Sequence, residues 1–543
     1  MNRTPCDEGL IRGGPPAASR CVERDKPWVL AATILGSSLA FIDGSVVNVA
    51  LPAMQGDLGA SVQTTQWIVN AYMLMQGSLI LVGGAAGDRF GRRRVFVWGL
   101  VLFTISSVAC GLAPNAATLI AARAAQGIGG AFLVPTSLAI ISTTFPPDER
   151  GRAIGVWAGF SALTTALGPV LGGWLVDSAS WRAIFYVNVP IAAIAWMLAL
   201  WRITEARDAD AARTGVDWLG GLLATAGLGA IAYGLTAVSD RGWTDPVVAG
   251  ALLAGAIVLA VFIQVERRSA APMLPLGLFR SRNFTGANVM TVLLYFGLSG
   301  AMFFLPFNMI RIQDYSATQA GASFLPFTLI MGVLSRWSGG LVDRYGARAP
   351  LTVGPIVTAI GFVLLAVPGI GGTYWTTFFP AMVVFGIGMA ISVAPLTTTV
   401  MNAVGAGHAG VASGVNNAAA RVAGLLAVAL LGAIAVGIFG TALGARLDDL
   451  RVSPDVRSAL QREIPKLAEA EVPPGVEGDS RQALTRALDE SFVRSYRATM
   501  LIAASLALLS GLCAAAMIRP PQPDADRGDA RKDPSHEPRH ARA

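Results

Sequence analysis

The feature that most constrains this chain is a series of apolar runs of about 20 residues, broken by short polar and basic connections. At about 1.5 Å of rise per residue, a helix of that length crosses a hydrocarbon core about 30 Å thick. The runs lie near 28–50, 66–87, 95–113, 118–143, 152–176, 182–201, 216–238, 246–265, 287–309, 319–341, 350–368, 374–396, 411–437 and 497–518. They are too long and too little alternating for barrel strands, so the sequence predicts an all-α polytopic membrane protein of about 14 transmembrane helices. Composition agrees: 53% of the 543 residues are hydrophobic and only 14% charged. The mean hydropathy of +0.56 is far above that of a soluble globule.

A net charge of +7 could suggest nucleic acid, but that partner needs basic residues gathered on one folded surface. Here the arginines are dealt out between apolar runs, as in loops held on the cytoplasmic side of a membrane. Counted from an internal N-terminus, the inner connections carry Arg20, Arg24 and Lys26, then Arg89, Arg92, Arg93 and Arg94, then Arg150 and Arg152. Arg207 and Arg213, the group Arg267, Arg268, Arg280 and Arg282, and Arg344 with Arg348 continue the pattern. The short outer connections hold little beyond Arg182, Arg241 and Arg311. Both termini are therefore expected in the cytoplasm, with the chain in the cell (plasma) membrane, the lipid bilayer as its partner and no nucleic acid. Lysine occurs only at positions 26, 466 and 532 among abundant arginine and alanine, which points to a GC-rich bacterial genome.

Cys6, Cys21, Cys110 and Cys513 show neither metal spacing nor a disulfide framework. The first 26 residues are polar and the first apolar run is long enough to remain a span, so no cleavable signal is expected. The expected organisation is a cytoplasmic tail (1–27), a six-helix bundle (28–201), a linker with two extra transmembrane helices (202–284), a second six-helix bundle (285–518) and a disordered cytoplasmic tail (519–543). Within the second bundle, the connection from about 438 to 496 carries both charge signs. It is long enough to escape the charge rule, and is expected as an external, solvated connector holding a short helix or hairpin.

Residues 84–94 read GAAGDRFGRRR, and residues 339–348 read GGLVDRYGAR. Both fit G-x-x-x-D-R-[FY]-G-x-R, and both follow an even-numbered span on the inner side, so a duplicated bundle is the natural explanation. Gly84, Gly91 and Gly346 allow close approach, Asp88 and Asp343 accept hydrogen bonds, and Arg89, Arg92 and Arg344 hold the turn at the anionic inner surface. Such a charged knot can hold one bundle against the other in one state and release it in another. For the arginines alone, a plain topology signal is the blander reading.

With these motifs the sequence resembles a major facilitator superfamily transporter of the fourteen-helix drug:proton antiporter branch, the EmrB/QacA type. The first knot resembles motif A of that superfamily, and LIAARAAQGIGG at 119–130 resembles motif B. Gly168, Pro169, Gly172 and Gly173, in GPVLGG, resemble the antiporter motif C, and DGSVVNVALP at 43–52 resembles the first-helix motif of the branch. WRAIFYVNVP (181–190), DWLG (217–220) and LFRSRNF (278–284) also look typical, so the resemblance covers about 28 to 518. Thr164, Val422, Asn308 and Asp314 depart from the usual pattern and leave the substrate open. The resemblance implies a major facilitator fold, two six-helix bundles plus two extra helices between them. It also implies proton-driven export of drugs by alternating access, without cofactor or ATP. The expected partners are protons and small lipophilic substrates, cationic ones among them, and the expected working unit is a monomer.

Only Asp43, Arg123 and Arg421 are ionisable and well inside spans, where an unpaired charge is costly. Asp43 lies about 22 Å along an outward-running helix and Arg123 about 8 Å along an inward-running one, hence at similar depth. In the fold the resemblance implies, both helices line a central cavity, so the two can meet. Asp43 is then the proton-coupling carboxylate, with Arg123 or a cationic drug competing for it. One charge crossing 100 mV is worth about 2.3 kcal/mol, a gradient of roughly 50-fold. Candidate substrate-cavity residues are Phe41, Asn48, Tyr72, Gln76, Gln126, Phe304, Asn308, Asn416, Asn417 and Arg421, a few polar groups among aromatics.

An uptake symporter or a narrow-specificity metabolite exporter on the same fold remains an alternative, and so does a non-transporting membrane sensor. An enzyme is disfavoured, since His408, His536 and His540 lie in a short connection and the tail, and no metal site is expected. No GxxxxGK[ST] loop occurs, which argues against ATP-driven transport.

Overall fold

A computed structural model describes residues 15–206, 215–269, 271–404 and 409–519. Fourteen helices are long and apolar enough to cross a membrane: α1 (Glu23–Asp57), α2 (Val62–Phe90), α3 (Arg92–Gly111), α4 (Ala116–Thr144), α5 (Glu149–Ser178), α6 (Ala183–Arg202), α7 (Trp218–Arg241), α8 (Pro246–Arg268), α9 (Arg282–Ile312), α10 (Ala317–Ser335), α11 (Arg348–Ala366), α12 (Tyr374–Asn402), α13 (Gly410–Asp449) and α14 (Gly478–Met517). Among the described residues no strand forms. The protein is an all-α, fourteen-helix, multi-pass membrane protein, as the apolar runs predict.

Local sequence sets the helix starts. Ser61, Asn115 and Ser281 each accept a bond from an amide three residues on, satisfying an otherwise orphaned N–H at the head of α2, α4 and α9. Asp245 does the same for Val247 ahead of Pro246, whose missing N–H costs nothing in a first turn. Gly91 and Gly346 have φ of 111° and 72°, which explains the glycine shared by the two charged motifs.

α1 to α6 form the first bundle, with α4 packed on α2 and α3 and α1 on α5 and α6. α9 to α14 form the second, where α11 packs on α12 and α14, and α9 on α13 and α14. The bundles join along two seams, α2 with α13 and α5 with α10. The inserted pair lies beside the first seam: α7 touches both α2 and α13, through bonds such as Trp67 Nε1 to Thr236 Oγ1 (3.1 Å), and α8 lies outside it.

Two expectations change. The stretch 438–496 is no solvated connector, because α13 continues to Asp449 and α14 begins at Gly478. Between them a helix (Pro454–Glu463) and a 3-10 turn (Ile464–Glu469) bury Leu460, Leu467 and Val472. Gln55 Nε2 donates to Lys466 O at 3.0 Å, and Arg311 pairs with Glu469, so this segment is docked over the ends of α1 and α9. At the N-terminus the helix already begins at Pro15, inside the expected tail. Residues 520–543 of the expected disordered tail, with His536 and His540, lie outside the described residues, as do residues 1–14, Arg207, Arg213 and His408.

Candidate transport site

Asp43 and Arg123 meet inside the first bundle. Arg123 Nη1 donates to Asp43 Oδ2 at 2.5 Å, and the two residues are 1% and 0% exposed respectively. Gln126, one turn along α4, donates through Nε2 to Asp43 Oδ1 at 2.9 Å and accepts from Arg123 Nη1 at 2.7 Å. Arg123 Nε donates to Ile68 O, and its guanidinium lies 4.3 Å from the Tyr72 ring centroid. Behind Gln126, Ser107 takes bonds from Gln126 and Asn188 and donates to Phe185 O. Five helices thus converge on one buried ion pair. A buried pair is tolerated only when its remaining polar atoms are satisfied, and here they largely are.

The site redistributes the expected cavity residues. Tyr72, Gln76 and Gln126 are buried in or beside this network. Phe304 sits in the apolar core against Phe303, and Asn308 is buried where α9 turns at its far end. Asn416 bonds Asn288 and Thr291 across α9 and α13, while Asn417 is exposed and caps only its own helix backbone. Phe41, Gly44, Ser45 and Asn48 are half-buried and share one face of α1, by their spacing of three and four. Asp43 occupies the opposite face, turned to α4. Arg421 of α13 approaches the first of these faces, with Nη1 3.9 Å from a Cβ placed on Gly44. Among the described residues no hydrogen bond or ion pair holds its guanidinium.

GPVLGG of α5 forms a close-packed surface. A methyl added at Gly168 would lie 1.9 Å from Ser45 Oγ, and one at Gly172 would lie 2.9 Å from Val46 O, both on α1. At Gly173 it would lie 2.1 Å from Ala317 O of α10, and at Gly321 of α10 it would lie 2.0 Å from Pro169 O. Asp177 completes the contact, accepting from Ala317 N, Thr318 N and Thr318 Oγ1 at 3.1, 2.8 and 2.6 Å. Towards the end bearing the charged motifs, α5 and α10 part: Cβ positions on Gly151, Gly155, Gly159, Gly332 and Gly339 have nothing within 4 Å. α5 and α10 are thus shut against each other at the far end and part at the motif end, while α2 and α13 stay in contact, a methyl on Gly414 lying 2.9 Å from Leu81 Cδ2.

The first charged knot is held within its own bundle. Arg92 donates to Asp88 Oδ1 through Nε and Nη2 at 2.9 and 2.7 Å, and to Ala139 O of α4 at 3.3 Å. Glu205, which the sequence reading missed, caps α3 by accepting from Arg93 N and Arg94 N. Gly84 rests on Pro135, and Arg89 covers Phe90. In the second knot Arg344 covers Tyr345, and the side chain of Asp343 lies outside the described residues. Among the described residues no ion pair runs from either knot to the opposite bundle. Asp177 was also missed, its signal being no more than a carboxylate at a helix end.

Two helical bundles whose α5–α10 seam is shut at one end and parted at the other, with a buried charge pair inside the first, define a transporter rather than an enzyme. The chain belongs to the Major Facilitator Superfamily, whose family model matches residues 33–428. It is 33% identical over 500 residues to multidrug resistance protein Stp of Mycobacterium tuberculosis, covering 90% of this chain and 91% of that one. It is 32% identical over 512 residues to the tetracenomycin C resistance and export protein of Streptomyces glaucescens, covering 92% and 93%. A puromycin resistance protein of Streptomyces alboniger is 37% identical over 431 residues, covering 79% and 84%. Among solved structures, a bacterial homolog to the human lysosomal transporter Spinster superposes with a TM-score of 0.61 at 18% identity, covering 92% of this chain and 98% of that one. That likeness speaks for the fold alone.

Proposed function

We propose that this protein exports drugs, antibiotics or related lipophilic compounds from the cytoplasm by alternating access, driven by protons moving inward. The observation that carries the reading is the shut far end, built from the antiporter-type glycines of α5 locked onto α1 and α10. Relatives named for resistance and export support drugs as the cargo. With both termini in the cytoplasm, as the basic connections favour, the splayed end faces the cytoplasm and this is a loading state.

Asp43 is the proton carrier and Arg123 its internal counter-charge. Protonating Asp43 releases Arg123 and Gln126, and re-forming the triad expels the proton, so α1 and α4 change their mutual hold with each cycle. Substrate meets the opposite face of α1, where Gly44 lies beside Arg421 and Asn48 follows one turn on, with Phe41 and Ser45 of that face packed on α5. Proton and substrate are therefore coupled through the two faces of one helix. Both charged knots rejoin the bundles when the cytoplasmic end shuts. A functional monomer suffices, and the gradient supplies the energy.

The test is substrate-induced proton movement in inside-out vesicles, comparing wild type with Asp43→Asn over lipophilic cations, neutral antibiotics and organic acids. A compound that collapses the pH gradient only with the wild type supports the reading. No response to any compound overturns drug export, and equal responses remove Asp43 from the coupling.

A further inference from the structure

Where the inserted pair α7–α8 reaches the motif end, two carboxylates face each other with no donor between them. Asp217 precedes α7 and caps it, with Oδ1 accepting from Gly220 N at 2.7 Å. Glu266, near the end of α8, is only 3% exposed, and its Oε2 accepts from Leu274 N at 2.8 Å, in the segment leading to the second bundle. The other oxygens, Asp217 Oδ2 and Glu266 Oε1, are buried and find no hydrogen-bond partner. They converge on one spot: a methyl added at Gly220 would lie 2.8 Å from the first and 2.5 Å from the second. The two oxygens therefore lie no more than about 5 Å apart.

Among the described residues, the surroundings offer nothing else to neutralise them. On α2 the neighbours of Gly221 are Val82 and Leu79, and Arg89 points at Gly215 instead. On α8, Arg267 and Arg268 are exposed, and Arg268 turns to Gln264. Among the described residues no cation pairs with either carboxylate. Two buried acceptor oxygens in contact without a donor repel each other, whereas one proton between them turns the contact into a short, charge-assisted hydrogen bond.

We infer that Asp217 and Glu266 are a proton-binding site, holding one shared proton that staples α7 to α8 and, through Leu274, to the linker entering the second bundle. The site is separate from Asp43. On the topology proposed above, it is filled from the cytoplasm, so raising cytoplasmic pH strips the staple and loosens the inserted pair from the seam between α2 and α13.

The experiment is infrared spectroscopy of the full-length protein in lipid nanodiscs, reading the carbonyl stretch of protonated carboxylic acids near neutral pH. Wild type is expected to show a band that Glu266→Gln and Asp217→Asn each remove and that Asp43→Asn retains. Each amide can donate to the remaining carboxylate, so both variants keep the staple and stay folded. Should either fail to fold, pH titration of the wild type decides: the band is expected to vanish on alkalinisation together with a fall in thermal midpoint. A band unchanged in both folded variants, or absent from wild type at every pH, overturns the proposal. So does a carboxylate stretch shifted by added Mn2+ in place of the acid band, which would make the pair a metal site. The reading needs no transport, so a protein that keeps the band but exports nothing fails the export proposal and not this one.

Discussion

Thr318 grips Asp177 across the two bundles, its amide and hydroxyl both donating to Oδ2, at 2.8 and 2.6 Å. The carboxylate thereby serves as an external cap for the first turn of α10, whose N-terminal dipole favours a negative charge. The far end cannot open without uncovering those donors.

Asp177→Asn keeps an acceptor but loses the charge, which weakens the far-end contact by about 1–2 kcal/mol and raises the far-end-open population about tenfold. Spin-label distances between the far ends of α5 and α10 measure it. An unchanged distance distribution removes Asp177 from the gate.

Gly173→Ala and Gly321→Ala place a methyl about 2 Å from a backbone oxygen of the opposite bundle, which only separation of the helices can relieve. Both are expected to abolish export with normal membrane insertion, whereas Gly250→Ala, with open space around it, leaves export intact. Vesicle transport assays separate the three, and wild-type rates in Gly173→Ala would exclude the close-packed gate.

The spans were legible because hydrocarbon thickness dictates their length, and the duplicated knots were legible because both need a glycine at positive φ. Depth gave Asp43 and Arg123 the same height, since helices of known rise fix it, and the fold that the resemblance implies made their meeting possible. Which face each residue occupies was not legible. Tyr72, Gln76 and Gln126 read as cavity amides and aromatics, yet they bond inside the first bundle, where only Gln76 Oε1 of the three residues' polar atoms finds no partner. The segment after Asp449 looked solvated because its charges dominate the composition, while Leu460, Leu467 and Val472 are buried and Val452, Val456 and Ile464 pack beside them. Asp217 and Glu266 lie far apart in sequence, and only the packing of α7 on α8 brings them together.

The docked segment at the far end gives a pH prediction. Burial pushes the Glu469 carboxyl above its ordinary 4.5, more than the Arg311 fork pulls it down. With the folded-state value raised, the folded protein holds this proton more tightly than the unfolded chain does. That stability is present below the unfolded value and is lost as pH rises through the folded one. Glu469→Gln should flatten the fall in thermal midpoint across that interval, Arg311 being 42% exposed and able to take water instead. Parallel wild-type and variant melting curves would refute it.

Asp88→Asn keeps an acceptor for Arg92 but removes the charge from a pair whose carboxylate side chain is 36% exposed, so stability should change by no more than about 0.5 kcal/mol. Export is nevertheless expected to fall at least about tenfold, because the knot must change partners when the splayed end shuts. A large drop in thermal midpoint with normal specific transport would make the knot a structural clasp.

Asp43 and Arg123 are separable by a double-mutant cycle. Asp43→Asn leaves a guanidinium buried beside Tyr72 without its counter-charge, and breaking such a pair costs about 3–5 kcal/mol. Arg123→Gln strands the carboxylate and should cost a similar amount. The double variant holds no buried charge and is expected to regain most of the lost stability, so the two effects are far from additive. Coupling should not return with it, since no group remains to carry the proton. Thermal midpoints and substrate-induced proton flux, measured on all four proteins, tell the roles apart: a stable double variant that still exchanges protons for substrate would move the coupling away from α1.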